Sequence, residues 1–206
     1  MRKTTLSLAV LCSSFSFAQE DIVTEDLELI ISGDTEIREA SMVDYEAYMT
    51  LVTDVQAHRQ ERLVTLEEFN EMSKGENTII LDARSKAMYD AKHIKGAIHL
   101  NFSEFTQAEL EALIPSTETR VLIYCNNNFE DDQIYFPTKM YIPPPTYYNE
   151  PLGITMALNI PTYINLYGYG YKNVYELKEL ISVFDSSVEF EGTEVPVIED
   201  QGSIEE

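Results

Sequence analysis

Apolar positions along this chain follow two periods, one near 3.6 residues and one of continuous short runs, and the two alternate from about residue 41 onward. Between Ser41 and Arg62 the apolar residues Val43, Ala47, Met49, Leu51, Val52 and Val55 predict a helix lying on a domain. "RLVTLEEFNEM" reads as a short strand and then a helix, with Thr65 and Glu68 spaced as a capping box and Leu66, Phe69 and Met72 as the inward stripe. "TIILDARS" is a continuous apolar strand ending in Asp82 and Arg84, the pattern of a strand buried on both faces of a parallel sheet. A helix over Ser85 to Ala91, a turn at Gly96 and a short strand follow. "EFTQAELEALIP" predicts a helix with Leu110, Leu113 and Ile114 inward, and "TRVLIYC" the next strand. A helix resumes from about Ile154, kinked or restarted at Pro161, "KNVYEL" is the last strand, and Ile181 to Phe184 begin a terminal helix.

Residues 129–151 break both periods. "FEDDQIYFPTKMYIPPPTYYNEP" carries five prolines among its aromatics and is read as a long insertion. Strands and helices alternating at this spacing predict an α/β domain of three layers, with a central, mainly parallel sheet. In such a domain ligands gather beyond the carboxyl ends of the strands. The expected organisation is a signal peptide at 1–18, an acidic lead-in and accessory helix at 19–59, the domain at 60–185 with its insertion, and a loosely attached acidic tail at 186–206.

Composition changes the picture at the N-terminus first. Arg2 and Lys3 precede an apolar run from Leu6 to Leu11, and Ser16-Phe17-Ala18 offers small residues for a signal peptidase, so export to the periplasm or beyond is expected. That run is too short to span a bilayer, so no membrane insertion is expected. The formal charge is -22, and removing two cations with residues 1–18 makes it -24, from 12 Lys+Arg against 36 Asp+Glu. Such a field disfavours nucleic acid as a partner. Of the two cysteines, Cys12 would leave with the signal, so Cys125 would stand alone in a compartment where thiols normally pair.

Cys125 is the first residue past the apolar run "VLIY", where an α/β sheet presents its chemistry. A thiolate there needs a lowered pKa, which a loop of inward-pointing N–H groups can supply. Asn126, Asn127 and Asn128 tolerate the left-handed conformations that tight curling demands. They are the candidate cradle, with Phe129 and Glu130 completing the loop. The bland alternative is a polar turn capping a strand that holds an inert, buried cysteine.

"LDARSKAMYDAKHIKGAIHLNF" resembles the first signature of the rhodanese-like family, with Asp82, Arg84, Tyr89, His93, Ile94, Gly96, Ala97 and Ile98 in place. "VLIYC" is similar to the strand carrying that family's sulfur-accepting cysteine, and "GYGYKNVYELKELISVF" to its closing signature. The resemblance covers about residues 60 to 185. It implies a five-stranded parallel sheet flanked by helices, and sulfane-sulfur transfer through a persulfide on Cys125. Donor and acceptor would be small-molecule or protein-borne thiols, with no cofactor and no metal. Asp82 and Arg84 would support the site by fixing neighbouring loops, with His93 in the structural signature and Gly96 in a tight turn.

The departures from the family pattern are informative. Thiosulfate-active members usually place a glycine and a cation after the cysteine, where this chain has Asn128, Phe129 and Glu130 followed by Asp131 and Asp132. Repulsion of a dianionic donor at about 5 Å is on the order of 1 to 3 kcal/mol per charge, which disfavours thiosulfate. The sixth residue after Cys125 is Asp131 and not arginine, so phosphoester hydrolysis in the manner of fold-related phosphatases is disfavoured too. His58, His93 and His99 lack metal-ligand spacing. Two readings stand: an exported sulfur carrier or sulfurtransferase working through Cys125, and a non-catalytic module recognising a protein partner through its acidic loop and Tyr/Pro-rich insertion.

Overall fold

The structure, a computed structural model, describes residues 41–144 and 153–195. The expected signal segment, most of the acidic lead-in, the middle of the insertion and the end of the tail lie outside the described residues.

The compact unit begins at Asp44, whose side chain accepts the Ala47 N–H at 2.9 Å and starts α1 (Tyr45–Gln60). β1 (Leu63–Val64) runs into α2 (Leu66–Ser73) through the predicted capping box. Thr65 Oγ1 accepts from Glu68 N at 3.2 Å, and Glu68 Oε2 from Thr65 N at 2.8 Å. β2 (Thr78–Asp82), α3 (Lys86–Ala91), β3 (His93–Ile94), β4 (Ala97–His99), α4 (Gln107–Leu113) and β5 (Arg120–Tyr124) follow in order. The remaining elements are β6 (Phe129–Glu130), β7 (Met140–Tyr141), β8 (Ile154–Thr155), α5 (Asn159–Gly168), β9 (Val174–Leu177), β10 (Ile181–Ser182) and β11 (Phe190–Glu191).

Five strands form one parallel sheet in the order β1-β9-β5-β2-β4, with β5 at its centre. Alternate side chains of β2 and β5 enter different core layers. Ile80, Leu122 and Tyr124 pack with Phe69, Phe129, Phe136 and Leu177, whereas Leu81, Val121 and Ile123 pack with Leu110, Ile114, Tyr163 and Leu166. Both faces of the sheet are therefore buried, which is why these strands read as unbroken apolar runs. At about 1.5–3 kcal/mol per fully buried large side chain, this double core is the main favourable term for the fold.

Three expectations are corrected. The helix after the insertion begins at Asn159 and not near Ile154, which belongs to the β7–β8 hairpin. Pro161 lies in that helix's first turn, where no N–H is needed, so of the expected kink or restart the structure shows a helix start. Ile181 to Phe184 do not begin a helix. Ile181–Ser182 pair in parallel with Phe129–Glu130, and the Val183 N–H reaches Glu130 O at 3.2 Å. A four-residue stretch with two β-branched residues is a poor helix start, and a strand partner was on offer. Within the tail, residues 186–195 are not loosely attached: β11 pairs antiparallel with β3, Lys95 N donates to Glu189 O at 2.8 Å, and Val188 is buried. Its apolar residues Val188 and Phe190 outweigh the acidic composition around them.

Candidate functional site

β5 ends at Tyr124 in the middle of the sheet and delivers Cys125 to the rim, flanked by the carboxyl ends of β2 and β9. The cysteine starts a single 3-10 turn over Asn126–Asn128, closed by Asn128 N donating to Cys125 O at 3.1 Å. The three asparagines do not enter the left-handed region. Among the non-glycine described residues only Asp131 has a positive φ, of 69°. They act instead through their side chains, because a short carboxamide can satisfy stranded backbone groups on both sides of a turn.

Asn128 is saturated. Its Oδ1 accepts from Cys125 N and from Asn159 Nδ2, each at 2.9 Å, and its Nδ2 donates to Leu177 O at 2.7 Å and Glu179 O at 3.1 Å. The cysteine turn is thereby tied to the ends of β9 and α5. Asn127 points to the insertion: it donates to Lys139 O at 2.8 Å and to Thr155 Oγ1 at 3.0 Å, and accepts from Lys139 N at 2.6 Å. Asn126 is buried, and its Oδ1 has no partner among the described residues.

The hairpin pinned by Asn127 returns over the thiol. Leu158 N donates to Cys125 Sγ at 3.3 Å, and Cys125 is 1% exposed. Burial pushes the thiol's pKa up, and the N–H groups of Leu158 and Asn126 and the charge of Arg84 only partly offset that. The remaining predicted loop residues go elsewhere. Phe129 is buried against Tyr124, Phe136 and Phe190, and Glu130 faces solvent. Asp131 accepts from Ser182 Oγ at 2.6 Å, while Asp132 pairs with Lys92 at 2.6 Å in a mostly buried bridge that the sequence pattern did not signal.

Asp82 and Arg84 form a buried pair, 0% and 2% exposed. Arg84 Nη2 meets Asp82 Oδ2 at 2.7 Å, and Arg84 Nε lies 3.0 Å from Asp82 Oδ1. Arg84 also donates to Tyr135 O at 2.9 Å and Lys92 O at 2.6 Å, so it holds the insertion and the end of α3. Tyr124 Oη donates to Asp82 Oδ2 at 2.6 Å and accepts from Ile94 N at 3.1 Å; burial raises its pKa well above the ordinary tyrosine range. His93 bonds Tyr89 O at 2.6 Å and stacks on the Tyr89 ring, and Gly96 turns the chain between β3 and β4 at φ 78°. His99 bonds Arg84 O at 2.8 Å and His58 meets Tyr163 Oη at 2.9 Å. Two contributors to the site have no local sequence signature, Leu158 and Asn159, because only the return of the insertion brings them to the cysteine.

A cysteine at the carboxyl end of the central strand, backed by a buried Asp-x-Arg pair, matches the arrangement that the resemblance implies. The family model described as Rhodanese-like domain matches residues 65–184, and the chain belongs to that family. The BH2092 protein of Bacillus halodurans, known from its crystal structure, is similar at 17% identity over 65% of this chain and 74% of that one, with a TM-score of 0.37. No curated protein matches the sequence. Among the described residues no helix is long and apolar enough to cross a membrane.

Proposed function

We propose that this chain is a rhodanese-like binding module in which Cys125 is a covered, protonated thiol and not a sulfurtransferase in steady turnover. The observation that carries this reading is the burial of Sγ beneath Leu158, with the pKa displaced upward by desolvation. The thiolate is the nucleophile, and here desolvation opposes it more strongly than the N–H groups of Leu158 and Asn126 and the charge of Arg84 favour it. The hairpin supplies a recognition surface: Met140, Tyr141, Ile142, Ile154 and Met156 are each at least half exposed. With residues 1–18 acting as an export signal, the partner would be a periplasmic or secreted protein.

The test is alkylation with a bulky maleimide. The folded chain should leave Cys125 unmodified over the time in which the urea-unfolded chain reacts fully, and mass spectrometry should find no persulfide after exposure to glutathione persulfide. A persulfide on Cys125 of the folded wild-type protein, missing from Cys125→Ser, would refute the module.

One observation favours the second reading, a sulfur carrier. The N–H groups of Leu158 and Asn126 that act on Sγ would also stabilise an anion there. In that case the Cys125 thiolate attacks the outer sulfur of a donor persulfide, forming Cys125–S–S⁻ and releasing the donor as its thiol. The hairpin must first lift.

A further inference from the structure

We propose that the cleft at the carboxyl ends of β1 and β9 is a binding site for a small aliphatic carboxylate. It goes beyond the module reading and requires neither role of Cys125, which does not line it. The cleft is open to solvent and has a volume of about 220 Å³. That admits an acid of a few carbons.

The lining is rich in donors. Arg59 spends Nε and Nη2 on Glu176, at 2.6 Å each, which leaves Nη1 uncommitted among the described residues. Thr155 Oγ1 accepts from Asn127 Nδ2 and has its own proton to give, and Asn159 Nδ2 uses one hydrogen on Asn128. Lys178 is exposed and makes no salt bridge among the described residues; Glu68, whose field it shares, is committed to the cap of α2. Two cations therefore stand against one carboxylate in the lining, inside a chain of formal charge -22. The uncommitted donors of the lining suit a monoanion, while the field of the whole chain opposes a polyanion. Leu63 and Ile160 supply apolar wall for a short alkyl chain.

The experiment is a titration of the full chain with butyrate, followed by ¹H–¹⁵N NMR at matched ionic strength, with butyramide as the uncharged counterpart. Saturable shifts are expected at the amides of Thr155, Asn159 and Lys178 with butyrate, and binding about tenfold or more weaker with butyramide, as loss of a charge-assisted hydrogen bond implies. Lys178→Gln should weaken butyrate to a similar degree and keep the wild-type melting temperature, since Lys178 is exposed. No saturable response, an equal response to butyramide, or unchanged butyrate affinity in Lys178→Gln would each overturn the site. None of these results depends on how Cys125 reacts, so the module and the cleft stand or fall separately.

Discussion

Replacing Asn127 with alanine should uncover the thiol without unfolding the domain. Asn127 makes three hydrogen bonds to the hairpin, at 2.6 to 3.0 Å, and none of the core depends on it. Each such bond is worth a net ~0.5–1.5 kcal/mol, and water replaces part of what is lost at this half-buried position, so about 1–2 kcal/mol of hairpin anchoring should go. An opening equilibrium shifted by that amount rises about 5- to 30-fold. The assay is the native-state alkylation rate of Cys125, which reports the open fraction when closing is fast relative to modification. The rate should climb by that factor and stay insensitive to low urea, the mark of local and not global opening. Its pH profile should also move to lower pH, because desolvation is the leading cause of the raised thiol pKa and the lifted hairpin removes it. An alkylation rate equal to wild type would show that the hairpin does not guard the thiol, and the reasoning about Leu158 and Asn127 would fail with it.

Arg84→Met should cost about 3–5 kcal/mol in urea unfolding by leaving Asp82 charged and buried, and the double variant with Asp82→Asn should recover part of it; a single-variant loss under about 1 kcal/mol would contradict the buried pair. The Cys125 pKa is raised in the folded state, so the stability this group contributes is complete below the unfolded thiol value of about 8.5 and is lost as pH rises through the folded value. Wild type should therefore lose stability between neutral and alkaline pH more steeply than Cys125→Ser, and parallel slopes in chemical denaturation would count against the desolvated thiol. Deleting residues 186–206 removes Val188 and Phe190 from the core cluster and should lower stability by roughly 2–4 kcal/mol, with calorimetry as the check; an unchanged melting temperature would mean the tail carries no load.

Local chemistry decided much of this protein without reference to distant contacts. The continuous apolar runs of β2 and β5 can only be strands covered on both faces, the Thr65 and Glu68 spacing writes its own helix start, and Asp-x-Arg, His-Ile-x-Gly-Ala and the strand-end cysteine point to the rhodanese-like domain. These signals are legible because each rests on neighbours a few residues apart. What lay beyond the sequence depended on pairs far apart in it. Ile181 became a strand because Phe129 was beside it, Phe190 was drawn to the core by Phe129 and Phe136, and the asparagines found partners on β9, α5 and the hairpin. The sequence placed a thiol at the rim of the sheet. Only the fold of the insertion, bringing Leu158 back across 33 residues to Sγ, decided that this thiol would be covered, since the desolvation of one atom is set by everything packed around it.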